Sequence, residues 1–194
     1  MLAGIIFGLA AFLFTYTGKI FKGLFAKIKF EPMRPFIGGI IISLFIVVAN
    51  STKYIGLGIP SIMDAFSMHA GNFDFAIKLL LTSLTLSAGF KGGEVTPLFF
   101  IGATLGNVLI WFIPLPMALL AGMGFVSVFA GATHCVVASI IMGMELFGIQ
   151  AGIYVGLASM IAYFTSGING IYSAKLKIGA KYDLYNYILK TRKL

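Results

Sequence analysis

Residues 89 to 97 read Gly-Phe-Lys-Gly-Gly-Glu-Val-Thr-Pro, and those residue types in that order suit a site for a small anion. Gly92 and Gly93 let the backbone come close to an ion. Val95 offers a backbone N–H, Thr96 a hydroxyl, and Glu94 a carboxyl that can carry a proton. A long apolar helix pattern, Leu98 to Phe112, follows at once. A helix that starts directly after a break leaves its first N–H groups unpaired and aims its positive dipole end into the gap. Such an arrangement attracts a negative guest. The plainer readings are that Glu94 and Thr96 merely cap the helix start. Against the cap reading of Glu94, a carboxylate at bilayer depth costs about 2.5–3.5 kcal/mol and is by default functional.

Other reactive side chains are few. Tyr172 follows the glycine-rich turn 166–170, and its phenol can donate one hydrogen bond to an anion or sit in an interfacial belt. Lys91 is equally a snorkelling charge or a positive field for anions. Glu145 closes a helix, where its charge opposes the dipole, and a structural hydrogen bond to a neighbouring helix is the preferred reading. His134 and Cys135 are expected to pack in a glycine-rich helix start. With two histidines and one cysteine, neither a metal site nor a disulfide is expected, and no cofactor is implied. No HExxH or GxSxG pattern occurs, so an enzyme is not expected.

The chain that must position these residues is oily. Of 194 residues 59% are hydrophobic and 10% charged, with a mean hydropathy of +1.01. Soluble domains carry about 25% charged residues, so the bilayer is the solvent here. Glycine, at 24 residues, suits close helix packing in lipid. The net charge of +8 gathers at Lys19, Lys22, Lys27, Lys29 and Arg34, and again at Lys175, Lys177, Lys181, Lys190, Arg192 and Lys193. By the positive-inside rule both groups face the cytoplasm, a reading preferred to nucleic-acid binding. The expected protein is multi-pass, in the plasma membrane, with a cytoplasmic C-terminus. Met1 begins a first membrane helix rather than a cleaved signal.

The apolar runs are Leu2–Thr17, Phe36–Asn50, Phe75–Ala88, Leu98–Phe112, Met117–Phe129, Cys135–Phe147 and Ile149–Phe164, with a short amphipathic helix at Pro60–Met68 and a last segment at Ile171–Lys177. Several runs fall short of the roughly 17–25 residues of a simple span. Broken, short helices are what transporters with a midplane site contain. The domain reading is a helical membrane domain over 1–178 and a basic cytoplasmic tail over 179–194.

Three stretches together resemble the chloride channel (CLC) family of anion channels and anion/proton antiporters. They are Ser87 to Pro97; Ala130-Gly131-Ala132-Thr133-His134 running on to Met144-Glu145-Leu146-Phe147-Gly148; and Gly170-Ile171-Tyr172. The form Gly92-Gly93-Glu94-Val95-Thr96-Pro97 resembles the branch that exports fluoride in exchange for protons. Val95 stands where chloride-selective members carry phenylalanine, which favours fluoride over chloride. The resemblance implies an all-α bundle of tilted and broken helices, matching only the C-terminal half of a full-length member. It implies an anion path at Gly93, Glu94, Val95, Thr96 and Tyr172, with Glu94 in proton coupling. It also implies a homodimer paired through the first, sixth and seventh runs.

Neither the family's first anion loop nor its segment with the gating glutamate is found. Gly56-Leu57-Gly58-Ile59-Pro60 copies that loop superficially but suits a mid-chain external loop. The function expected is therefore transmembrane fluoride export coupled to protons, by a half-length chain without the gating carboxylate. The alternative is a non-conducting truncated or split-gene product that needs a separate N-terminal half.

Overall fold

The computed structural model describes residues 1–172 and 181–185, and all of its regular structure is helical. Among the described residues, besides a helical stretch at 181–185, eight α-helices follow in order: α1 Leu2–Ala26, α2 Met33–Ala49, α3 Ile59–Asp64, α4 Asp74–Ser87, α5 Val95–Val108, α6 Met117–Thr133, α7 Val136–Phe147 and α8 Ile149–Thr165. A 3-10 turn, Leu109–Trp111, extends α5. Among the described helices only α1 is both long and apolar enough to cross a bilayer unaided. The expected short helices are therefore present as such.

The interior is an α5–α6 pair wrapped by α1, α4 and α8, with Phe7, Leu98, Ile101, Leu105, Val126 and Val155 at its centre. Small residues set the spacing. A methyl group on Gly102 would overlap the Gly124 carbonyl, and one on Gly106 would overlap the Leu120 carbonyl. A methyl on Gly8 of α1 would stand 2.7 Å from the Ala162 carbonyl of α8. In lipid no hydrophobic drive pulls helices together, so van der Waals contact at this range supplies the association.

The non-helical stretch before α4 is held by buried polar side chains. Asn107 donates to the Ala65 and Met68 carbonyls at 2.7 and 2.8 Å and accepts from the Ala70 amide at 2.9 Å. Asp74 pairs with Lys53 and accepts from Tyr54 Oη at 2.7 Å. Lys78 Nζ donates to the Tyr54 and Gly56 carbonyls at 3.0 and 2.6 Å. Burial, then the Asp74 hydrogen bond and charge, push the Tyr54 phenol up to about 12, so it stays a donor across the physiological range. The Asn107 and Lys78 bonds answer backbone groups that hydrocarbon could not satisfy.

Several boundaries differ from expectation. Helix α1 runs nine residues past Thr17, so Lys19 and Lys22 ride on a helix rather than in a loop. Ile20, Phe21, Leu24 and Phe25 keep a helical apolar stripe there, and lysine is a good helix former. The fall in hydropathy marks a change of solvent, not a helix end. Helix α5 begins at Val95, with Pro97 in its first turn, where a missing N–H costs nothing. Helix α6 continues to Thr133, because Gly131 and Ala132 let it pass beneath α1 and α8; His134 then turns left-handed at φ 63° and ends it. Ile171 and Tyr172 are not helical, and the rest of the expected last segment lies outside the described residues, as does the 178/179 boundary. Lys181, counted with the solvated tail, is fully buried.

Gly102→Ala should lower the stability of the purified protein by roughly 1–3 kcal/mol, the usual cost of overpacking. Gly23→Ala, on an open face of α1, should be neutral or raise stability by up to about 1 kcal/mol through helix propensity. Thermal denaturation in detergent, followed by circular dichroism, checks the contrast.

Candidate anion site

The backbone between α4 and α5 is irregular from Ala88 to Glu94, and Gly89 takes a left-handed φ of 99° that side chains resist. Neighbouring helices support the break. Gly38, the buried residue of α2, lies against Ala88, so that a methyl there would collide with the Ala88 side chain. On the other side Ser87 Oγ donates to the Gly18 carbonyl of α1 at 3.1 Å. One turn earlier, Ser83 Oγ and Thr17 Oγ1 are 3.0 Å apart. Thr17 donates to the Leu13 carbonyl at 2.8 Å, so Ser83 supplies the proton of that pair. Serines four residues apart on α4 thus pin the helix before the break onto α1.

Glu94 occupies the N-cap position of α5 but makes no side-chain cap hydrogen bond. Its carboxyl is not spent on capping. Thr96 is the second helical residue, which is past the cap position. The first amides of α5 therefore have no side-chain oxygen bound to them.

Glu94 and Tyr172 share the wall of one cavity of about 710 Å³. Thr15, Lys19 and Lys22 of α1, Ser83 and Ser87 of α4, Arg34 of α2, and the irregular segment 169–172 also line it. Gly93 is exposed, while Val95 and Thr96 are half-buried, and none of the three lines this cavity. They lie one to two residues beside its wall, at the turn where α5 begins. Tyr172 is 55% exposed, at the rim of the cavity. Its neighbour is tied down, since the Ile171 amide donates to the Ala132 carbonyl at 2.9 Å.

Among the described residues that line it the charge is lopsided, with three cationic side chains against one carboxylate. Lys22 is near enough for its charge to act on Glu94. Arg34 is oriented by donation from Nε to the Ile28 carbonyl at 3.1 Å. Sequence reasoning assigns Lys19, Lys22 and Arg34 to topology alone, names Ser87 only as the start of the 87–97 resemblance, and does not single out Ser83. The signal for the serines was their spacing of four immediately before a glycine break. Lys91 is exposed and outside the cavity wall. Glu145 is exposed on α7 and makes no hydrogen bond with the other described residues, which corrects its expected structural bond. The reason is the outward face of α7, which also shows Val137 and Ile141.

This arrangement matches known proteins over most of its length. The chain is 48% identical over 182 residues to a chloride/fluoride channel protein of Pseudomonas syringae pv. tomato, an alignment covering 89% of this chain and 40% of that protein. It is 27% identical over 158 residues to a voltage-gated ClC-type chloride channel of Salmonella dublin, covering 75% and 37%. Among solved structures, a CLC-type fluoride/proton antiporter superposes with a TM-score of 0.85 at 37% identity, covering 89% of this chain and 44% of that one. The chain thus spans less than half the length of these relatives. Its interrupted α4–α5 backbone and all-helical bundle accompany a family-model match across residues 1–167, and on that ground the chain is a multi-pass membrane protein belonging to the voltage gated chloride channel family.

Proposed function

We propose that this chain forms part of the anion path of a fluoride/proton exchanger. The observation that carries the reading is the placement of Glu94 and Tyr172 on one cavity, at a helix start whose amides are uncapped. Lys19, Lys22 and Arg34 raise the local anion concentration in the cavity. The ion then exchanges water for donors: the Tyr172 phenol at the rim, and the Gly93, Val95 and Thr96 groups at the start of α5. Fluoride, small and strongly hydrated, rewards such direct donors more than larger halides do. Glu94, beside both the ion and the cavity, carries the proton in the opposite direction. Support for fluoride over chloride comes from Val95 in place of a bulky aromatic, and from relatives named for fluoride.

On this reading the protein sits in the plasma membrane with its basic C-terminal residues in the cytoplasm, and works as a homodimer. The apolar outward faces of α7 and α8, including Val137, Ile141, Ile153 and Leu157, suit such a pairing. A second reading is that the chain moves no anion until a complementary N-terminal half joins it. The chain's coverage of 40% and 44% of its relatives favours testing this directly.

Fluoride efflux from loaded liposomes is the decisive measurement, run with and without the complementary half. Glu94→Gln should abolish proton-coupled efflux. Tyr172→Phe and Thr96→Val should each weaken apparent fluoride affinity roughly 10–100-fold, the worth of about 1.5–3 kcal/mol for a hydrogen bond to an ion. A belt tyrosine would leave the flux unchanged, and that result would remove Tyr172 from the path. Lys22→Gln should slow efflux at low ionic strength and converge with the parent at high salt, where the field is screened. Efflux appearing only in the presence of the other half would establish the second reading.

A further inference from the structure

Lys181 belongs by sequence to the basic C-terminal stretch, yet it is 0% exposed. A lysine that only marks topology extends its ammonium to water. This one is enclosed by three neutral acceptors. Its Nζ lies 3.1 Å from His134 Nε2, 3.1 Å from Ser166 Oγ, to which it donates, and 4.2 Å from the centroid of the Tyr163 ring. Among the described residues no carboxylate pairs with it. Burying an ammonium is tolerable only when its donors are satisfied. Here a ring nitrogen, a hydroxyl oxygen and a π face take up its three N–H groups.

The partners are the ends of two helices. His134 is the residue that terminates α6, and Ser166 is the residue that terminates α8. Between those ends runs the segment leading to Tyr172. Gly167, at φ 78°, follows Ser166 directly. Further along, Gly170 lies so close that an added methyl would stand 2.9 Å from the Ala132 carbonyl and 3.5 Å from His134 Nδ1. The next amide, of Ile171, donates to that same carbonyl. Tyr172 comes directly after. One ammonium therefore fixes the ring against which the tyrosine-bearing segment is laid.

We propose that Lys181 is a positioning residue, which bridges His134 and Ser166 and thereby holds segment 167–172, and with it Tyr172, in the cavity wall. The inference deepens the fluoride reading and rests on it only for the consequence in transport. The positional claim stands on its own geometry. Without the ammonium, His134 loses the partner of its inner nitrogen, Ser166 loses the link to Lys181, and the Gly167–Tyr172 turn keeps the Ile171–Ala132 backbone bond without the support of a fixed ring.

The test reads position and transport separately. In a Cys135→Ser background, Tyr172→Cys is labelled with a water-soluble methanethiosulfonate reagent, and Val137→Cys on the outer face of α7 serves as the control. Lys181→Met should change the labelling rate at position 172 threefold or more, leave position 137 unchanged, and be largely reversed in Lys181→Arg. A change below threefold at 172 overturns the proposal. Should Lys181→Met not fold, His134→Asn, which removes the ring nitrogen facing Nζ, is judged by the same threshold. With Tyr172 restored and the complementary half present, Lys181→Met should raise the half-saturating fluoride concentration at least threefold with little change in maximal rate. A labelling change without that shift overturns the role of Tyr172 as an anion contact while leaving the positioning claim intact. No labelling change overturns the positioning claim whatever the flux does.

Discussion

The amides that open α5 find no partner in their own helix, and hydrocarbon offers them none. The surrounding architecture answers to that deficit. The chain can break at 88–94 only because α1, α2 and α4 close around it and leave a polar cavity on one side. Ser83 and Ser87 tie α4 to α1, Gly38 brings α2 onto Ala88, and the 169–172 segment closes the remaining side. An arrangement costly in lipid becomes favourable once a negative ion enters it, because ion and amides remove each other's desolvation cost.

Much of this was legible in the chain itself. The break at 89–94 was marked by three glycines among polar residues, and the restart by Pro97. The runs that became α7 and α8 were bounded by Gly148, which sits at φ 86° between them. Less visible was whatever depends on neighbours distant in sequence. Lys19 and Lys22 looked like loop residues because hydropathy falls there, yet backbone bonding continues while the side chains turn to an aqueous cavity. Lys181 looked like a solvated charge because nothing local announces His134 and Ser166, 47 and 15 residues away. Ser83 and Ser87 read as ordinary small residues until α1 was set beside them.

The electrostatics of the cavity follow from the same geometry. The cationic side chains that the positive-inside rule singles out also line the cavity that holds Glu94, so on the proposed reading one set of residues serves both orientation and attraction. Among the described residues that line the cavity the carboxylate is outnumbered, so the net field there is positive.

The glycine contact between α5 and α6 carries a mechanical consequence. Carbonyls of each helix fill the notches of the other at Gly102, Gly106 and Gly124, and interlocked surfaces of that kind slide only by coming apart. The two helices must travel as a single stiff body, with the amides that open α5 fixed to it like teeth on a gear. Any rearrangement of the bundle therefore falls to the parts around that body, among them the seam where α4 meets α1 through Ser83 and Ser87.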